Sequence, residues 1–153
     1  GLAPAYVEPV AQALTALGCT RAEVVHGAGG LDELSFAAEG QGAGALVDKG
    51  EVELLDIDAR DEAEYYGVPV IPKDALRGGL AHENATALLS LLESKAMDSA
   101  YEHAVLHNAA VALFISDRVD EGLDGWNLAL KALRGGAAKE ALDSLVAITR
   151  LAP

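Results

Sequence analysis

The chain has 153 residues, 51% apolar and only 5% aromatic, enough for one domain-sized core, so disorder and collagen-like repetition are excluded. Eleven Lys and Arg stand against 24 Asp and Glu, and the net charge of -13 repels nucleic-acid phosphates and anionic lipid alike. The longest apolar runs, such as 109–115, fall short of the roughly 20 residues that a spanning helix needs, and no basic segment precedes an apolar stretch.

The one cysteine, Cys19, cannot close an internal disulfide, and no Cys/His cluster has zinc-site spacing, so the reducing cytoplasm is the expected compartment. Across residues 4–17, Val7, Val10, Ala11, Leu14 and Leu17 recur at three- and four-residue spacing before Gly18, which predicts a helix. The run Ala22-Glu23-Val24-Val25-His26 predicts a strand, ended by Gly27-Ala28-Gly29-Gly30. Helix, strand and glycine loop make an α/β unit, and such sheets bind ligands at the carboxyl ends of their strands. Residues 45–47 and 51–55 flank Asp48-Lys49-Gly50 as a β-hairpin that interrupts this pattern. One or two helical turns are expected over 58–66, and Gly67, Pro69 and Pro72 force extended backbone into 73–77 ahead of Gly78-Gly79. Four helices then close the chain: one from Ala81 with the stripe Leu88, Leu89, Leu91 and Leu92, then 101–115, 126–133 and, past Gly135-Gly136, 137–151. The expected fold class is α/β: part of a mostly parallel sheet with flanking helices, a hairpin excursion and a helical C-terminal region.

Two glycine-rich stretches invite a phosphate reading. Gly40-Gln41-Gly42-Ala43-Gly44-Ala45 fits the dinucleotide pattern, but a strand-like alternation follows it where a helix is required, so a flexible loop is expected. Gly27 to Gly30, followed by Leu31-Asp32-Glu33, stands where a ligand loop belongs. Magnesium takes one or two carboxylates together with substrate phosphate oxygens, so Asp32 and Glu33 suit a metal that carries a phosphorylated substrate. The alternative is that Asp32 caps a short helix and Glu33 is solvated. His26 is either a ligand or acid-base group or a hydrogen-bonded structural histidine. Between Gly78-Gly79 and Glu83-Asn84 a helix start can bind an anion, or simply be capped. Asn108, inside an apolar helix, is expected to hydrogen-bond to a neighbouring loop. No G-x-S-x-G elbow or Cys/His nucleophile pattern is found.

Taken in order, Glu8-Pro9-Val10-Ala11 with Leu14 and Leu17-Gly18, then Val24-Val25-His26-Gly27 with Gly30-Leu31-Asp32-Glu33, then Leu76-Arg77-Gly78-Gly79 with Glu83-Asn84-Ala85, then Leu106 with Asn108-Ala109-Ala110, resemble the C-terminal half of the anthranilate phosphoribosyltransferases. The resemblance covers nearly all of the chain. It implies transfer of the phosphoribosyl group from phosphoribosyl pyrophosphate to the amine of anthranilate, releasing pyrophosphate, in tryptophan biosynthesis. It further implies magnesium on Asp32 and Glu33, a loop shaped by His26, Gly27 and Gly30, and a neighbouring wall of Gly78, Gly79, Glu83 and Asn84. The family's Gly-Thr-Gly-Gly-Asp pyrophosphate loop, its Lys-His-Gly segment and its N-terminal helical domain have no counterpart in 1–153. The chain is therefore expected to be a C-terminal portion of the phosphoribosyltransferase domain, inactive alone, with exposed sheet edges and a homodimeric intact enzyme. Leu80 stands where an acid is frequent and His107 where an apolar residue is usual. A pyrimidine nucleoside phosphorylase of the same architecture is disfavoured by the Asp-Glu pair. A nucleic-acid-binding relative is disfavoured by charge and by scarce aromatics.

Overall fold

The computed structural model describes residues 3–37 and 40–150. A single 3-10 turn, Pro4–Tyr6, leads into α1, Val7–Ala16. Val7 and Ala11 are buried, with Val10 and Leu14 beside them, and the small Ala11 lets the helix lie close to the sheet. Leu17 leaves the predicted stripe: it caps the helix and is 84% exposed.

The sheet has three strands, β1 Arg21–His26, β2 Gly42–Asp48 and β3 Glu51–Ile57, in that order. Both pairings are antiparallel, Arg21 facing Asp48 and His26 facing Ala43, then Gly42 facing Ile57. The expected mostly parallel sheet is corrected here. The hairpin is no excursion, because it supplies two of the three strands. Parallel neighbours need a crossover, usually helical, whereas the connection after β1 doubles back on itself. Lys49 and Gly50 both adopt positive φ, 48° and 93°, the two-residue turn that matches strand twist. Among the described residues, parallel pairing is a single bridge between Ala37 and Ile71, where the Ile71 N–H donates to the Phe36 carbonyl at 2.9 Å.

The glycines expected in a flexible loop at 42 and 44 lie inside β2 instead. A Cβ at Gly42 would come 2.8 Å from the His26 carbonyl oxygen, and one at Gly44 would come 3.1 Å from Ile57 Cδ1. Close approach of neighbouring strands, not freedom to bend, accounts for these two residues.

A second core gathers Phe36, Ala63, Ile71, Leu91, Leu106, Ala110, Trp126 and Leu133 under the helices. The short prediction at 58–66 becomes α2, Ala59–Tyr66: Asp58 accepts the Arg60 N–H at 2.7 Å at its start, and Gly67, with φ of 68°, ends it. Residues expected to be extended after Pro72 form a 3-10 turn, Lys73–Leu76. The four C-terminal helices follow as α3 Ala81–Leu92, α4 Ala100–Ile115, α5 Gly122–Arg134 and α6 Ala137–Arg150; Leu151 lies outside the described residues. Helix α4 is apolar around its circumference and takes the central place, with Ser99 accepting the Glu102 N–H at 3.1 Å as its cap. It meets α5 so closely that a Cβ on Gly125 would lie 2.7 Å from the Ala110 carbonyl oxygen.

Glu23 of β1 points away from α1 towards α2, into a recess shared with Glu62. Burial, and then the charge of Glu62, push its carboxyl above the ordinary value of 4.5. A carboxyl raised in this way supports the fold below 4.5 and loses that support as pH rises through its folded value. Glu23→Gln is therefore expected to raise the melting temperature at pH 7, and the gain should fade as the pH is taken below 4.5. Paired thermal melts across that range check it.

Candidate functional site

The connection leaving β1 is a tight fold of glycines. The Gly27 N–H donates to the Leu31 carbonyl at 2.9 Å and the Gly30 N–H to the Gly27 carbonyl at 3.2 Å, around a 3-10 turn Ala28–Gly30. A Cβ on Gly27 would lie 1.9 Å from the Glu33 carbonyl oxygen, so only glycine lets the segment return this closely. Gly29 and Gly30 take φ of 72° and 78°, which turns the chain outward again. The result is a short projection that leaves Asp32 and Glu33 both exposed at its tip.

Three anchors hold that projection. The Lys73 ammonium donates to the Gly29 carbonyl. Asn108 of α4 accepts the Leu34 N–H at 3.0 Å and donates to the Leu34 carbonyl at 2.7 Å. Phe36, fully buried, stacks on His107 with ring centres 4.7 Å apart. The expected bond from Asn108 to a neighbouring loop is thus present, and the loop is the one bearing the two carboxylates.

Glu33 lines a cleft of about 320 Å³ with Leu76, Tyr101, Val105 and Asn108. Leu76 and Tyr101 also wall an adjoining cleft of about 440 Å³ that contains Arg77, Gly78 and Asn84. The structure therefore brings Glu33 and the 78–84 turn to two sides of one partition. His26 is half-buried at the end of β1 and lines neither cleft, and Gly27 is buried within the loop. In the 78–84 turn, Glu83 accepts the Leu80 N–H at 2.6 Å, while Asn84 accepts the Gly79 N–H at 2.8 Å and donates back to its carbonyl at 3.1 Å. These side chains cap α3, and two amides that an anion would use already have protein partners.

Among the described residues no three His, Cys, Asp or Glu side chains come together as a metal cluster. Asp32 and Glu33 offer two adjacent, solvent-facing carboxylates. That hard donor set fits magnesium, whose remaining positions go to water and phosphate oxygens. Sequence reasoning missed Lys73 and Tyr101. Lys73 follows Pro72, a position that signals only a turn, and Tyr101 stands in the first turn of α4, where periodicity marks it as packing.

The fold and this loop define a class: a family profile described as "Glycosyl transferase family, a/b domain" matches residues 2–139, and the chain belongs to that family. The chain is 41% identical over 147 residues to an anthranilate phosphoribosyltransferase of Oceanobacillus iheyensis, covering 96% of this chain and 41% of that protein. It is 40% identical over 152 residues to that of Azorhizobium caulinodans, covering 99% of this chain and 42% of that one. It thus spans about two fifths of the length of the curated relatives it matches. The crystal structure of the anthranilate phosphoribosyltransferase from Thermus thermophilus superimposes with a TM-score of 0.79 at 30% identity, covering 97% of this chain and 41% of that one. The Saccharomyces cerevisiae enzyme in complex with PRPP and Mg shares the fold, with a TM-score of 0.74 at 21% identity over 90% of this chain and 38% of that one. Among the described residues no helix is long and apolar enough to cross a membrane.

Proposed function

We propose that this chain is the C-terminal part of an anthranilate phosphoribosyltransferase. The observation that carries this reading is the Asp32-Glu33 projection standing beside two adjoining clefts, in a chain whose similar relatives bear that name. In the reaction the anthranilate nitrogen forms a bond to the anomeric carbon of the ribose, the bond from that carbon to pyrophosphate breaks, and the nitrogen loses a proton. Asp32 and Glu33 would hold magnesium, which when bound neutralises charge gathering on the departing pyrophosphate. An acidic chain needs such help, because its own field repels a polyphosphate. His26, Gly27 and Gly30 shape the loop that presents the carboxylates. Gly78, Gly79, Glu83 and Asn84 build the neighbouring wall, the last two by capping it. The rest of the enzyme supplies the glycine-rich pyrophosphate loop and most of the anthranilate pocket, and the whole works as a cytoplasmic homodimer.

A chimera tests this: residues 3–150 replace the corresponding segment of the Oceanobacillus iheyensis enzyme, and anthranilate fluorescence is followed with phosphoribosyl pyrophosphate. Consumption that depends on magnesium and stops with a chelator is expected from the chimera, and none from the chain alone. A folded chimera without transfer, or a chain that transfers unaided, contradicts the proposal.

A further inference from the structure

We infer that Asn108 is a positioning residue that sets where the Glu33 carboxylate stands over the cleft, which rests on the reading of Asp32 and Glu33 as magnesium ligands. Both amide hydrogens and the amide oxygen are engaged. Oδ1 accepts the Leu34 N–H at 3.0 Å, and the two hydrogens of Nδ2 go to the Leu34 carbonyl at 2.7 Å and to the Ala104 carbonyl, one turn back on α4, at 2.8 Å. The last bond fixes the plane of the amide, and that plane then takes both polar groups of one peptide residue in the manner of a neighbouring strand.

Leu34 is 4% exposed, so without Asn108 its N–H and carbonyl would be buried with no partner from α4. Leu34 directly follows Glu33, and Glu33 and Asn108 line the same cleft. From Leu34 the chain continues into Ser35 and Phe36, 2% and 0% exposed, so the buried side is fixed and any slack falls on the carboxylate side. Behind Glu33 the loop already rests against Gly27, and Lys73 holds the Gly29 carbonyl. Asn108 is the anchor next to the ligand itself. No other side chain supplies one acceptor and two donors in a plane of this size: aspartate loses both donors and alanine loses all three bonds.

Manganese, which takes the same oxygen donors and is read by its own paramagnetic resonance signal, serves as the probe on the chimera of residues 3–150 with the rest of the Oceanobacillus iheyensis enzyme. Asn108→Ala and Asn108→Asp are each expected to weaken manganese binding roughly tenfold or more. Val47→Ala, a buried change in β2 on the far core, should lower the melting temperature and leave that affinity unchanged. Joining Asn108→Ala to Asp32→Asn and Glu33→Gln should cost nothing further. Folded Asn108 variants that bind manganese as the parent does overturn the inference, and the isosteric Asn108→Asp decides the matter should the alanine variant fail to fold. A parent chimera that binds no manganese, or whose binding survives Asp32→Asn with Glu33→Gln, instead sinks the ligand reading, and the inference falls with it.

Discussion

Exchanging Asp32 for Asn and Glu33 for Gln in the chimera is expected to lower the rate of phosphoribosyl transfer by roughly 10² to 10³. Both replacements keep the shape of the side chain and remove its charge. Both side chains are exposed and neither belongs to a core cluster, so the fold should survive the exchange. The loss would therefore appear in turnover at saturating substrate and in the magnesium concentration needed for half-maximal rate, in a protein that still melts as a folded one. Steady-state rates across a magnesium series, set beside a thermal melt, separate the two. A double variant that turns over as the parent does would show that the pair is merely solvated.

The second large effect is structural in origin and functional in result. Gly27→Ala puts a methyl group 1.9 Å from the Glu33 carbonyl oxygen, a backbone atom that cannot swing aside as a side chain would. The loop must open, which breaks the bonds of Gly27 to Leu31 and of Gly30 to Gly27, and the expected cost is about 3 kcal/mol. Gly30 makes the contrasting case. A Cβ there meets nothing within 4 Å and is penalised only for its φ of 78°, so Gly30→Ala should cost about 1 kcal/mol. Chemical denaturation of the two variants, with manganese affinity measured on each, checks the order. Equal and small losses would mean that the loop is not as tightly closed as its geometry states.

Much of this architecture could be read from the residues alone. The four C-terminal helices stood out because apolar residues recur at helical spacing and Gly135-Gly136 breaks the pattern, and the hairpin stood out because Asp48-Lys49-Gly50 separates two alternating runs. The direction of strand pairing was not legible. An α/β order of helix, strand and glycine loop suits a parallel crossover and an antiparallel return equally well, and the observed antiparallel return packs tightly at Gly42 and Gly44, whose missing side chains admit His26 and Ile57. Composition could not tell these close-packing glycines from mobile ones. At the candidate site, Asp32 and Glu33 were visible as neighbours and Asn108 as a polar residue in an apolar helix. Their relation was not, since it spans 74 residues and follows from where α4 lies. Glu83 and Asn84 were recognisable as polar groups at a helix start, and the geometry assigns them to the turn that they close.

The anchoring of Leu34 by Asn108 also bears on the order in which the molecule assembles. The sheet and α1 join segments adjacent along the chain, so they can form while the rest is still unfolded. The carboxylate loop is emitted early by this unit, yet its clasp is carried by a helix 74 residues downstream and its strap by a lysine 44 residues away. Drawing such distant points together has an entropic cost that grows with the logarithm of the separation, and only a docked α4 offsets it. The placement of the two acids thus depends on the last third of the sequence, which carries α4, and not on the N-terminal unit alone.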